Sequence, residues 1–269
     1  MTRTAIIAGA GALPAALVAA LPDRPAIAAL EGFAPAGIAP DLTFRVERLM
    51  PFLRTLDGLG VTQVCFAGAV QRPRLDPALF DPDTAQIVPR LLAALGQGDD
   101  ATLREVLAIF EESGFAILGV QDVAPALVPA EGILAGEVGD RDRADAERAA
   151  RIVEALGRVD VGQGCVVQQG LCLAVEALPG TDAMLSHVAS LPATLRPDPA
   201  RGRGLFYKAP KPLQDRRIDL PALGVQTVRN AAAAGLGGIV WQAGGVICLD
   251  FPAMVAEAQA QGLFLWARG

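Results

Sequence analysis

The residues best suited to chemistry lie between Tyr207 and Gly224. That segment holds the only tyrosine, both lysines (Lys208 and Lys211), Gln214, Arg216, Arg217 and the aspartates Asp215 and Asp219. The other 21 basic residues are all arginine, so the chain confines its ammonium groups to Lys208-Ala209-Pro210-Lys211. An ammonium is a compact point charge with three rotatable donors, which suits it to neutralising phosphate where a planar guanidinium would not fit. Pro210, Pro212 and Pro221 stiffen the backbone around it. Cations beside carboxylates in a rigid, non-helical segment suit phosphoryl transfer, in which positioning and charge neutralisation do most of the catalysis. With a single histidine, His187, an aspartate must serve as metal ligand or as the base that orients water. The alternative is a solvated loop carrying surface ion pairs.

Several glycine turns could complement this segment. Gly9-Ala10-Gly11-Ala12-Leu13-Pro14 follows an apolar run, and there the amides of Gly11, Ala12 and Leu13 could face a phosphate or a sugar. The turn also resembles a dinucleotide fingerprint, with Glu31 where a ribose-binding acid would stand, although Pro14 takes the third glycine's place. Gly98-Asp99-Asp100 is either a capped helix start or a carboxylate pair for a divalent cation. Gly162-Gln163-Gly164 leads into a strand. Gly180-Thr181-Asp182 opens a helix, where a hydroxyl and free amides can either cap the helix or hold phosphate.

Composition narrows the classes. A net charge of -6 and 5% aromatic residues argue against nucleic-acid binding, which needs a cationic surface and stacking rings. One histidine cannot build a multi-histidine metal centre. Cys65, Cys165, Cys172 and Cys248 have no CxxC spacing and read as buried, reduced thiols of a cytoplasmic protein. The uncharged stretches Thr4 to Pro22 and Asn230 to Leu249 are broken by glycine or proline into pieces shorter than the ~20 residues of a spanning helix. Peripheral membrane association stays compatible with them.

These residues need elements to position them. Apolar runs at Thr4 to Ala8, Ala26 to Leu30, Gln63 to Ala67 and Phe115 to Leu118 alternate with helical patterns at Leu13 to Leu21, Leu49 to Leu59, Ala85 to Leu95 and Ala101 to Ser113. That alternation predicts an α/β layer with a mainly parallel sheet. Periodicity lapses from Ala124 to Asp140, which sets a first α/β domain at 1–133, a linker at 134–140 and a smaller mixed α/β domain at 141–269. The second part reads as a helix over Asp140 to Leu156, strands at Val166 to Gln169, Leu171 to Glu176 and Leu205 to Tyr207, and a helix from Asp182. It closes with a helix at Gln226 to Ala234, strands at Gly238 to Gln242 and Val246 to Leu249, a helix at Pro252 to Gln261 and a strand at Leu263 to Trp266.

Taken in order, Ile7 to Pro14, Cys65-Phe66-Ala67-Gly68-Ala69-Val70-Gln71-Arg72-Pro73, Gly98-Asp99-Asp100, Gly162-Gln163-Gly164, Gly180-Thr181-Asp182-Ala183-Met184 and Lys208-Ala209-Pro210-Lys211-Pro212 with Asp219-Leu220-Pro221 resemble the LpxI-type UDP-2,3-diacylglucosamine pyrophosphatases of lipid A biosynthesis. The resemblance implies Mg2+-dependent cleavage of UDP-2,3-diacylglucosamine to UMP and 2,3-diacylglucosamine 1-phosphate. It also implies two α/β domains, the first Rossmann-like, with substrate between them, and a homodimer; peripheral contact with the inner membrane surface stays open. The family's essential aspartate falls on Asp219. Gly68, Arg72, Gly164, Gly180, Thr181, Asp182 and Gln214 join the Gly11 to Leu13 turn as expected substrate contacts. Lys208 and Lys211 are expected to act on the phosphates, and Asp219, with Asp99 and Asp100, to hold the metal. The competing readings are an NAD(P)-dependent oxidoreductase built on the first glycine turn and a non-catalytic nucleotide-sugar or lipid carrier.

Overall fold

The computed structural model describes residues 3–71, 74–212 and 214–269, with the side chain of Asp99 excepted. The chain divides into two compact units, Met1–Pro125 with Arg217–Asp219, and Ala126–Arg216 with Leu220–Gly269.

The first unit runs β1 (Thr4–Ala8), α1 (Leu13–Ala20), β2 (Ala26–Leu30), β3 (Leu42–Phe44), α2 (Leu49–Gly58), β4 (Gln63–Ala67), α3 (Pro82–Leu95), α4 (Asp99–Glu112), β5 (Ala116–Leu118) and α5 (Val120–Val123). Its sheet is wholly parallel in the order β3-β2-β1-β4-β5. All of β2, and β1 beyond Thr4, are buried, which is why they read as unbroken Ala/Ile runs: a parallel strand covered on both faces needs no polar alternation. Ala5, Ile7, Ala26 and Ala28 pack against Leu53 and Leu56 of α2 and against Leu91, Ile109 and Phe110. Strand β3 had no sequence signal. It is three residues long, and Phe44 holds it by stacking on Phe52 at 4.0 Å. The strand order reverses between β1 and β4, and ligands of open α/β sheets bind outside the carboxyl ends of the strands at such a point.

The second unit runs β6 (Gly132–Ala135), α6 (Asp140–Arg158), β7 (Gly164–Gln168), β8 (Leu171–Val175), α7 (Gly180–Ser190), β9 (Leu205–Lys208), β10 (Ala222–Leu223), α8 (Val225–Ala233), β11 (Gly238–Gln242), β12 (Ile247–Cys248), α9 (Phe251–Gln261) and β13 (Phe264–Arg268). Its main sheet is mixed, in the order β6-β13-β11-β9-β7-β8, while β10 and β12 pair separately. Six strands against the first unit's five make this the larger sheet among the described residues, whereas the sequence suggested the smaller domain.

Side chains alternate along the four central strands β13, β11, β9 and β7. Val166, Phe206, Ile239, Trp241, Leu265 and Ala267 face Met184, Leu185, Val188, Val228, Ala231, Met254 and Ala258 of α7, α8 and α9. Cys165, Val167, Leu205, Tyr207, Val240, Phe264 and Trp266 face Ala146, Ala149 and Val153 of α6. By the same period of two, Gly164 and Lys208 fall on the side of α7.

Two details differ from the sequence reading. Gly132–Ala135 is a strand paired antiparallel to β13, so the stretch set as linker at 134–140 contains the end of β6, and the units part after Pro125. Four residues edged by glycine and proline carry too little periodicity to announce a strand that only its partner completes. Cys172 is exposed while the other three thiols are buried, because it lies on the edge strand β8. No helix of the described residues is long and apolar enough to cross a membrane.

Candidate active site

Lys208 closes β9, an otherwise apolar strand, and its side chain is only 7% exposed. A buried ammonium requires a counter-charge and hydrogen-bond acceptors, and both are present. Its Nζ donates to Glu176 Oε2 at 3.1 Å and to the Thr181 hydroxyl, and the Thr181 hydroxyl donates to Glu176 Oε2 at 2.9 Å. The three groups form a closed ring at the start of α7.

Gly164 pairs in register with Lys208, and its missing side chain makes the ring possible: a Cβ there would lie 2.7 Å from Glu176 Oε2 and 2.8 Å from the Phe206 ring. The Glu176 amide donates to the Gly164 carbonyl at 2.8 Å, which sets the carboxylate above the glycine. Lys208, Thr181 and Gly164, far apart in sequence, are thus brought together. Glu176 is the member that sequence reasoning passed over. Its signal was an acidic residue ending an apolar strand five positions before Thr181.

The other expected residues of the second unit serve different local ends. Lys211 pairs through Nζ with Asp160, with side-chain exposures of 22% and 51%. Gln214 is buried, and its Oε1 accepts from the Lys211 amide at 3.0 Å while its own amide donates to the Lys211 carbonyl at 3.2 Å. That reciprocal pair closes the turn after the lysines. Asp182 accepts from Asn230 at 2.8 Å, tying α7 to α8. Gly180 takes φ +84°, where a side chain would be strained.

In the first unit, the turn after β1 and the turn after β4 interlock backbone to backbone. Ala10 and Ala69 exchange two hydrogen bonds of 2.9 Å, and Gly9 donates to Ala67 at 2.7 Å. Added Cβ atoms at Gly9 and Gly68 would meet backbone oxygens at 2.6 Å. The interlock lies at the switch point and sets Gly11, Ala12 and Leu13 at the N-terminus of α1. Gly11 is exposed, with open space around its Cα at φ +99°. Glu31, the ribose-acid candidate, is ion-paired with Arg45 at 2.9 Å.

Asp100 pairs with Arg104 one turn along α4. Arg72 and the Asp99 side chain lie outside the described residues. Asp219 is half-buried and groups with the first unit in the short segment Arg217–Asp219, where Arg217 donates to Glu111 at 2.7 Å. Lys208 and Asp219 therefore belong to different units. Among the described residues, no three His, Cys, Asp or Glu side chains are close enough to hold a metal ion by themselves.

Fold and site together define a two-unit α/β protein: a Rossmann-like sheet with interlocked glycine turns, and a mixed sheet bearing a buried lysine–carboxylate–hydroxyl ring. The LpxI N-terminal domain family matches residues 3–127 and the LpxI C-terminal domain family matches residues 130–266, and the chain belongs to the LpxI family. It is 40% identical over 272 residues to the UDP-2,3-diacylglucosamine pyrophosphatase LpxI of Caulobacter vibrioides, a match covering 98% of this chain and 97% of that relative.

Proposed function

We propose that this chain hydrolyses the pyrophosphate of UDP-2,3-diacylglucosamine to UMP and 2,3-diacylglucosamine 1-phosphate, a step of lipid A biosynthesis. The observation that carries the reading is the full-length match to a relative of that name, supported by the buried ammonium of Lys208. In the reaction, water forms a new P–O bond, the bridging P–O bond breaks, and the water's proton leaves to a base. Asp219 is our candidate for orienting that water, with Lys208 and Lys211 offsetting charge on the phosphates. Amides of the Gly11 to Leu13 turn and of Thr181 and Asp182 are our candidate donors to anionic oxygens, because the first amides of a helix have no intrahelical partner, whereas the Gly180 amide is spent on the Ala177 carbonyl at 2.9 Å.

A divalent metal fits this donor set in one form. Mg2+ commonly takes one or two carboxylates plus substrate phosphates rather than an all-protein cage, and the described residues offer carboxylates but no cage. Asp219 would hold it together with the substrate, with Asp99 and Asp100 as lesser candidates. When bound, Mg2+ would withdraw charge from the phosphoryl oxygens.

We place the enzyme in the cytoplasm as a homodimer, touching the inner membrane surface where a diacylated substrate resides. Purified protein with UDP-2,3-diacylglucosamine and Mg2+ should release UMP. Asp219→Ala should abolish release while still melting cooperatively as a folded protein, and normal turnover by that variant would sink the role given to Asp219.

A further inference from the structure

We propose that Glu176 is a positioning residue for the reaction, acting through Lys208: its carboxylate, seated in the space that Gly164 leaves open, holds the ammonium in one orientation. The proposal rests on the pyrophosphatase reading above.

An ammonium has three N–H donors. The Lys208 Nζ lies 3.1 Å from Glu176 Oε2 and 3.4 Å from Oε1, one forked bond to the carboxylate, and a second donor goes to the Thr181 hydroxyl, which leaves the third to present to a phosphate oxygen. Thr181 is engaged on both sides, accepting from Lys208 and donating to Glu176, so its hydroxyl acts as a spacer within the ring. The carboxylate's own place is set by backbone. The Glu176 amide is bonded to Gly164, a Cβ at Gly162 would lie 1.9 Å from the Glu176 carbonyl oxygen, and one at Gly164 would strike the carboxylate at 2.7 Å. Two glycines of one motif are thus accounted for by the path of a residue outside it. Without the carboxylate, the four-carbon stem of Lys208 regains its rotamers and the third donor loses its aim.

The composition supplies the test, because Lys208 and Lys211 are the only lysines. Lysine labelled with 13C at Cε gives two side-chain signals, assigned by Lys211→Arg, and their relaxation reports the mobility of each. Glu176→Gln keeps the shape and one acceptor oxygen but removes the charge. It should turn the restricted Lys208 signal into a mobile one and lower kcat by roughly 100-fold, the scale of a misplaced catalytic group, with KM little changed.

If Glu176→Gln melts below the assay temperature, Glu176→Asp is read by the same two measurements. It keeps the charge but draws it back by one methylene, and it should lie between the wild type and the predicted Gln variant. A Gln or Asp variant with wild-type kcat, or one whose Lys208 signal stays as restricted as in the wild type, would overturn the positioning role. A wild-type enzyme that releases no UMP overturns the pyrophosphatase reading, and the role in catalysis with it, whatever the relaxation data show.

Discussion

Lys208 and Lys211 stand three positions apart in the same motif, yet their surroundings separate them. Lys208 is closed in by Glu176, Thr181 and the sheet, whereas Lys211 pairs with a half-exposed Asp160. A guanidinium at Lys208 must enter a space built for an ammonium, an overpacking strain of about 1–3 kcal/mol. Lys208→Arg should therefore lose UMP release by about tenfold or more, each tenfold corresponding to about 1.4 kcal/mol. Lys211→Arg should stay within a few-fold, and steady-state rates with melting curves for both variants will check this. Cys172 offers a separate residue-scale prediction. Contact with the Cys165 thiol pulls it down to about 7, with the Arg148 charge adding, while burial pushes Cys65 and Cys248 up to about 12. As pH rises through 7, Cys172 becomes thiolate, the reactive form, so its alkylation by iodoacetamide should climb through that pH and then level off. Cys65 and Cys248 should stay unmodified in the folded protein, as peptide mass mapping would read.

At the scale of elements, the interlocked turns after β1 and β4 make a differential prediction. A Cβ at Gly9 meets the Ala69 carbonyl at 2.6 Å, whereas one at Gly11 meets nothing within 4 Å and carries only the φ +99° penalty. Gly9→Ala must displace backbone and should cost about 3 kcal/mol or more, above the usual range for a well-packed site. Gly11→Ala should cost about 1 kcal/mol. Urea midpoints of the two variants check the order. Most elements were legible because their periods are long or their runs unbroken: β1, β2, β4 and the amphipathic α6 follow from pattern alone. Strands β3, β6 and β10 did not: at two to four residues each holds at most two repeats of the strand period, with flanks that read as loop, and it forms because a neighbour pairs with it.

For the whole molecule, the absence of a protein metal cage among the described residues separates stability from activity. A structural metal would stabilise the native state by mass action. Here EDTA should leave the melting temperature unchanged while stopping UMP release, and excess Mg2+ should restore it; a fall in melting temperature on chelation would count against a substrate-borne ion. The sequence by itself determined the α/β class, the two-unit organisation, the concentration of lysine in one rigid segment and the family to which these motifs belong. Each of those is a matter of order along the chain. Only the tertiary structure decided which partners the motifs have. Gly164 serves Glu176, Gln214 closes its own turn, Asp182 ties two helices, and Cys172 is exposed on an edge strand. The physical reason is that a hydrogen-bond partner or a neighbouring strand is a contact in space. Glu176 and Lys208 are 32 residues apart, and nothing in local spacing joins them until β7 sets its glycine between them.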